Sequence, residues 1–451
     1  AQVPIRTPVC GTFSVFMLDE KQDKALLNEG LFFYYSDIST TCVLLVVAIV
    51  AGSHYWLALL PELEDYDGWL WSEETTRIEN TVLLAMDMLG HFLLGPLSDT
   101  YRPTTLLAVE AVYMLTAMFL QSATRSVLVY ICIGNTVAIA KGIMWPAITT
   151  ILAANTAPEV HDRVFLLAAL GSRVSSVLAH LLLGQLIGDY HMGWRGATRV
   201  MALYLIGIIV VGLCFCPRVI ASPASKKHSG GSVGILEKAS NLVACPNGWL
   251  TILTMACSGV FWTLCMYSPM LLQDVYKISD GEATGITAAI PAGSAAGLVY
   301  AYLVTNMVGV TLGRVSQLLQ SSLAVAALWV MAFHPDLDLD LMLLVQAAAG
   351  FGVVVPCYMP NFLYSANSPE NERAFRYAVI TGCTAVVGVI TSYKMGGMRE
   401  GNDDPIRLAS TLYGITAFAI TVCVVSMGFL YWRLTDPREL ASSSSSSRGS
   451  A

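Results

Sequence analysis

Charge is what this sequence has least of. Asp, Glu, Lys and Arg make up 13% of its 451 residues, against 55% hydrophobic residues and a mean hydropathy of +0.61. A soluble domain carries about 25% charged residues because its surface faces water, so an ordinary soluble enzyme and a disordered chain are both excluded. With 25 Lys and Arg against 32 Asp and Glu, there is no basic surplus for a phosphate backbone, and no nucleic-acid partner is expected. The 11 cysteines form no CxxC pair and no Cys/His cluster of metal spacing. Most sit in apolar runs, where Cys behaves as a small hydrophobe. No nucleophile–base set and no phosphate loop appears, so neither an enzyme nor a cofactor is expected. There is no Asn-X-Ser/Thr sequon to support a glycosylated outer loop. The chain starts at Ala1 without an initiator Met, and targeting is not readable from it.

What is present in quantity is long apolar runs. A helix crosses the hydrocarbon core in about 20 largely apolar residues. Such runs predict spans near 42–60, 80–97, 105–121, 127–153, 164–188, 199–216, 249–272, 283–305, 315–333, 341–364, 376–394 and 409–432. The expected fold is an all-α, multi-pass integral membrane protein of twelve transmembrane helices in two six-helix bundles, 42–216 and 249–433. A cytosolic segment 1–41 precedes them, a Ser/Gly/Lys-rich linker 217–248 joins them, and a low-complexity tail 434–451 follows. Within the first segment, 19–36 is amphipathic and suits either the membrane surface or a plain cytosolic helix. With the N-terminus inside, fifteen Lys and Arg fall in inner segments, eight in outer loops and two inside spans. Cytosolic termini follow from the positive-inside rule. These features do not distinguish plasma membrane from organelle.

After the second span comes Gly95-Pro-Leu-Ser-Asp99-Thr-Tyr-Arg102-Pro, which resembles the loop motif of the major facilitator superfamily. The resemblance implies that Gly95 permits close approach of helices two and eleven. It also implies that Asp99 meets the positive N-terminal end of a neighbouring helix. Arg102 stands where the family usually has its second Gly, and Pro103 replaces the following Arg. The equivalent stretch after span eight, LVTNMVGVTLGR, retains Gly309, Gly313 and Arg314 but no Asp. Lys141-Gly-Ile-Met-Trp145-Pro146, the Gly-dotted fifth span ending in GW, and ENERAFRYAV…MGGMREGNDDPIRLAS resemble the anion:cation symporter and organic-anion carrier branches.

A charge inside a bilayer costs about 2.5–3.5 kcal/mol on insertion scales, so each one needs a partner or a job. Lys141 lies about 21 Å into span four and Arg173 about 14 Å into the antiparallel span five, at similar depth. An anionic substrate between them would relieve their repulsion. Alternatively Asp87, in span two, neutralises one of them, or one snorkels to the interface. Arg173 is the stronger candidate because a guanidinium reads carboxylate or phosphate bidentately; Lys141 is equally read as a structural charge. Asp87 is a counter-ion or a proton site, and His91, one turn along, would share its proton. His54 and His180 are more simply core residues. Glu110 is read as structural, pairing with Arg102.

In the C-terminal half the candidate ligand groups are Trp262, Tyr267, Gln346 and Asn361, with Tyr358, each of which is also readable as packing. Gly171, Gly184, Gly188, Gly293 and Gly297 are expected at helix contacts, and Pro146, Pro291 and Pro356 at kinks. The expected function is a secondary transporter moving a small organic anion by alternating access, coupled to H⁺, Na⁺ or counter-substrate. The rival readings are a carrier of a neutral solute (sugar, nucleoside, amino acid) and a non-transporting subunit or receptor of the same fold.

Overall fold

The computed structural model describes residues 73–156, 160–184, 234–278, 286–400 and 404–434, with Ala283 and a few positions between 195 and 207. All regular structure among them is helical. In the N-terminal half, α1 (Glu73–Leu93) ends in a 3₁₀ turn, Gly95–Asp99, and is followed by α2 (Pro103–Ala123), α3 (Val127–Lys141), α4 (Met144–Asn155) and α5 (His161–Gly184). The C-terminal half comprises α6 (Ile235–Ala244), α7 (Pro246–Tyr276), α8 (Ala289–Phe333), α9 (Leu339–Ala366), α10 (Arg373–Glu400) and α11 (Pro405–Leu434). Eight helical stretches among the described residues are long and apolar enough to cross a membrane.

Every predicted span from the second to the twelfth, except the sixth, coincides with helix in the structure. Span one with His54, the segment 1–41, the His180 side chain and the tail lie outside the described residues. Within the predicted linker, residues 235–244 form α6.

Helix breaks follow from particular residues. Proline lacks an N–H and crowds the carbonyl four residues back. Pro146 thus frees the carbonyl of Gly142, where span four divides into α3 and α4. Pro291 acts in the same way on Thr287, just before the turn at Ala288. Pro356 and Pro360 lie inside α9. Spans eight and nine run on as α8, yet Gly309 at φ 80° and ψ 172° turns the chain back. The arms on either side form a hairpin, tied by Gln320 Nε2 donating to the Gly297 carbonyl at 2.9 Å and by Tyr300 bonded to Ser316 at 2.9 Å. Positive φ is open to glycine without a Cβ penalty, which explains why the turn sits at Gly309.

The two halves meet along a seam where α10 packs on α1 and on the 3₁₀ turn, while α8 and α9 pack on α5. A Cβ on Gly95 would strike Ala378 of α10, so the expected approach of helices two and eleven is observed. Outside the seam, Met307, Leu319, Phe418 and Trp432 are exposed, as suits a surface solvated by lipid chains. Within the N-half, Gly90 lies against the backbone of Ile139, and Gly142 against that of Gly90. Small residues let helices approach closely in a membrane, and this contact brings Lys141 beside His91. Overpacking costs about 1–3 kcal/mol where side chains can yield, and here the neighbour is backbone. Gly90→Val is therefore expected to lower the thermal unfolding temperature by several degrees or abolish folding; an unchanged temperature would contradict the contact.

Candidate functional site

Arg173 is the thirteenth residue of α5 (His161–Gly184) and faces the seam. Its side chain is buried, 5% exposed. The guanidinium carbon lies 4.3 Å from the centroid of Trp262, on α7, and 5.1 Å from that of Tyr358, on α9. One terminal nitrogen donates to the Tyr358 hydroxyl, while Nε has no hydrogen-bond partner among the described residues. Among the described residues, no carboxylate lies within ion-pair distance of it. Ring quadrupoles attract a cation, by about 2 kcal/mol or more when it is desolvated, but they do not neutralise it. Arg173 is thus an oriented, buried cation with donor capacity to spare.

It stands at the end of an aromatic stack. Tyr358 lies nearly parallel to Phe362, with centroids 6.2 Å apart, and Phe362 stacks on Phe165 at 4.9 Å and 6°. Trp145 presents its edge to Phe362 at 5.3 Å, and Tyr377 closes the far side at 5.4 Å. These rings come from α4, α5, α9 and α10, so both halves contribute. Tyr358 and Phe362 share a face of α9 at i, i+4 spacing, the signal by which the sequence marks Phe362. Phe165 carries no such mark.

The other sequence candidates are placed elsewhere. Tyr267 is buried with its hydroxyl 3.1 Å from both the carbonyl and the hydroxyl of Ser392 on α10. Gln346 donates to Ser268 on α7 at 3.4 Å. The Asn361 amide donates to Thr381 at 2.9 Å and to the Tyr377 carbonyl at 3.3 Å, and its oxygen accepts from Ser365. All three are engaged within the C-terminal half.

Lys141, the last residue of α3, is separate from the Arg173 group. Its ammonium is within electrostatic reach of His91 and Glu110. His91 Nε2 lies 3.7 Å from Asp87 Oδ2, one turn apart on α1. Asp87 therefore partners His91 and not Arg173. Glu110 is buried and Arg102 exposed, and no pair joins them.

A third group sits at the loop face. Asp99 Oδ1 accepts from the backbone N–H of Ala374 at 2.9 Å, and Oδ2 from that of Phe375 at 3.1 Å. A carboxylate there satisfies orphan donors of the first turn of α10 and complements its dipole, as the loop motif implies. The cation beside Asp99 is Lys238 of α6, at 3.0 Å, which also donates to the Asn371 carbonyl. Asn241 of α6 donates to Glu372 at 3.1 Å, and Glu372 pairs with Arg376 at 2.6 Å.

Across the seam Arg314 forks onto Asp162, the second residue of α5, at 3.1 and 3.3 Å. The acid missing from the second loop motif is thus supplied by the other half. The sequence alone assigns no role to Lys238, Asp162 or Glu372, although Glu372 lies within the stretch ENERAFRYAV. Only the Glu372–Arg376 spacing of i, i+4 was visible in sequence.

Residues 30–392 match the sequence profile of the Major Facilitator Superfamily. Among solved structures, the chain is similar to the human organic anion transporter MFSD10 (TETRAN), with TM-score 0.63, 14% identity, and coverage of 86% of this chain and 99% of that one. It is similar also to the transporter FucP in its outward conformation, with TM-score 0.64 at 13% identity over 88% and 99% of the two chains. A bacterial homologue of the iron transporter ferroportin, in an outward-facing state, gives 0.63 at 14% over 87% and 99%. No curated protein sequence matches the chain significantly. At these identities the likeness is one of fold.

Proposed function

The chain belongs to the major facilitator superfamily, and from that membership we propose that it carries a small organic anion across its membrane by alternating access. The observation that carries this reading is Arg173. A buried guanidinium without a carboxylate partner among the described residues, flanked by Trp262 and Tyr358 and holding Nε unbonded, suits an arriving carboxylate better than the described groups of the C-terminal half do. The adjoining aromatic stack favours an anion with a flat apolar body. Lys141 then belongs with the titratable groups of the N-half, and coupling runs through protons taken up there, where Asp87 and His91 meet. The likeness to a human organic anion transporter agrees with the reading.

In this proposal the face carrying Asp99 and Arg314 is cytosolic, and its ion pairs hold the two halves together on that side. The site then opens toward the opposite side as the halves rock about the seam. The test is a thermal-shift comparison of the purified protein with benzoate, glycerol phosphate, glucose and leucine. A ligand at a hundred times its Kd stabilises the folded state by about 2.7 kcal/mol, so a saturating carboxylate is expected to raise the unfolding temperature by several degrees. A rise with glucose or leucine and none with either anion would replace the anion reading with the neutral-solute one.

A further inference from the structure

Glu110 is the eighth residue of α2 (Pro103–Ala123), about 12 Å along the helix from its start. It is 1% exposed, and neither carboxylate oxygen has a hydrogen-bond partner among the described residues. An ionised carboxylate left unbonded in an apolar interior is among the costliest arrangements a fold can hold. Fold economy therefore leaves two resting forms for this side chain: a neutral acid, or an anion facing a cation.

The cation is in place. Met114, Ala117 and Val137 form a small buried cluster between α2 and α3. Residues four apart share a helix face, so Glu110 lies one turn from Met114 on the same stripe of α2. Lys141 lies one turn from Val137 on the facing stripe of α3. The helices run antiparallel, and both steps lead toward the loop face carrying Asp99. The Tyr113–Thr136 hydrogen bond fixes the same register. Glu110 and Lys141 consequently face each other one turn beyond the apolar cluster, while no ion pair between them is formed in this arrangement.

Among the described residues, the other charges around α2 are accounted for. The helix packs against α3, α4 and the 3₁₀ turn. From α3 the facing group is Lys141; α4 carries no titratable side chain; from the turn it is Asp99, already held by Lys238 and the α10 N-terminus. Arg102, at the N-cap, is exposed, and Arg199 reaches Ser122 at the opposite end of α2. On the far side of Lys141 stands His91 with its partner Asp87.

We propose that Glu110 is a proton-binding site of the transport cycle, neutral in the arrangement described and paired with Lys141 once the proton leaves. The step moves one proton: the acid releases H⁺, and the carboxylate left behind gains the ammonium of Lys141 as counter-ion. Lys141 thereby stabilises the empty proton site in place of contacting substrate. Pairing would draw α2 and α3 together about 12 Å along α2 from its start at the loop face. The inference rests on the proton-coupled reading above, but its first test needs no substrate.

That test is infrared spectroscopy of the purified wild-type protein in lipid at neutral pH. A protonated-carboxyl C=O band is expected, shifting when glutamate carboxyls carry ¹³C and unmoved by labelled aspartate. It should vanish in Glu110→Gln and persist in Asp87→Asn. The absence of any band that shifts with glutamate labelling overturns the proposal without any variant having to fold. In vesicles loaded for benzoate transport, Glu110→Gln is expected to keep exchange of labelled benzoate within a few-fold. Accumulation driven by an imposed acid gradient should fall at least tenfold, and undiminished accumulation overturns the coupling role. If wild-type protein moves no benzoate, the anion reading fails while the infrared result still decides Glu110.

Discussion

Replacing Arg173 by Gln is expected to abolish carboxylate binding while leaving the apo protein no less stable than before. The two effects have opposite signs because one group is responsible for both. Hydrogen bonds to charged groups contribute about 1.5–3 kcal/mol each, and a carboxylate at Arg173 would use the free Nε and a terminal nitrogen together. Loss of the fork thus removes about 3 kcal/mol or more, a hundredfold or greater rise in Kd at 1.4 kcal/mol per tenfold. Against this, an intramembrane cation costs about 2.5–3.5 kcal/mol to insert. Its contacts with the faces of Trp262 and Tyr358 return part of that. Glutamine carries no such cost, so the unfolding temperature of the empty variant should hold or rise.

Arg173→Lys separates charge from geometry. It keeps the cation but presents a point charge in place of a planar fork, and intermediate affinity is expected. The measurement is the benzoate-induced thermal shift, checked by equilibrium binding of labelled benzoate. A wild-type Kd in Arg173→Gln would refute the anion clamp. A large drop in apo stability would instead mark Arg173 as a packing residue.

Depth along a helix was readable from the sequence, but direction around it was not. Counting residues placed Lys141 and Arg173 at similar depth and suggested one site between them. The contact of Gly142 with Gly90 turns Lys141 toward α1 and α2, whereas Arg173 faces α7 and α9. Facing stripes decide which charges meet, and these depend on helix packing that periodicity in a uniformly apolar span does not encode. Helix breaks were more legible, because Pro146 and Pro291 act on carbonyls one turn upstream whatever surrounds them. The loop motif was legible at Gly95 and Asp99, whose partners lie on one neighbouring helix.

Its departures from pattern were not resolvable in sequence. Arg102 occupies a motif position yet points into solvent. The cation that Asp99 takes is Lys238, from a segment whose composition reads as a solvated linker. The second motif lacks its own acid, and Asp162 was hidden because it belongs to the other half. The two contacts nevertheless correspond by position. The turn after span two caps span eleven, and the arm after span eight meets the start of span five.

That relation gives the second large effect. Asp99→Asn is expected to shift the protein toward a state in which the Asp99 face is open. The carboxylate accepts two backbone N–H groups of α10 and pairs with Lys238 at 3.0 Å. An asparagine keeps one acceptor oxygen but loses the charge that complements both the helix dipole and the ammonium. Charge-assisted bonds of this kind contribute about 1.5–3 kcal/mol, so the ratio of open to closed forms should rise roughly 10- to 100-fold. Spin labels on Thr100→Cys and Pro369→Cys report it directly, since one label sits beside the Asp99 turn and the other before α10. A longer inter-label distance should gain population in Asp99→Asn. Lys238→Met should produce a smaller shift of the same kind, because the α10 amides still hold the carboxylate. Combining the two should add little to Asp99→Asn alone, since residues in one network are not additive. If Asp99 were only a helix cap, Asp99→Asn would lower the unfolding temperature and leave the distance distribution unchanged. An effect of Lys238→Met on the distances is what a cap alone does not produce, and it would make α6 a working part of the gate, not a tether between bundles.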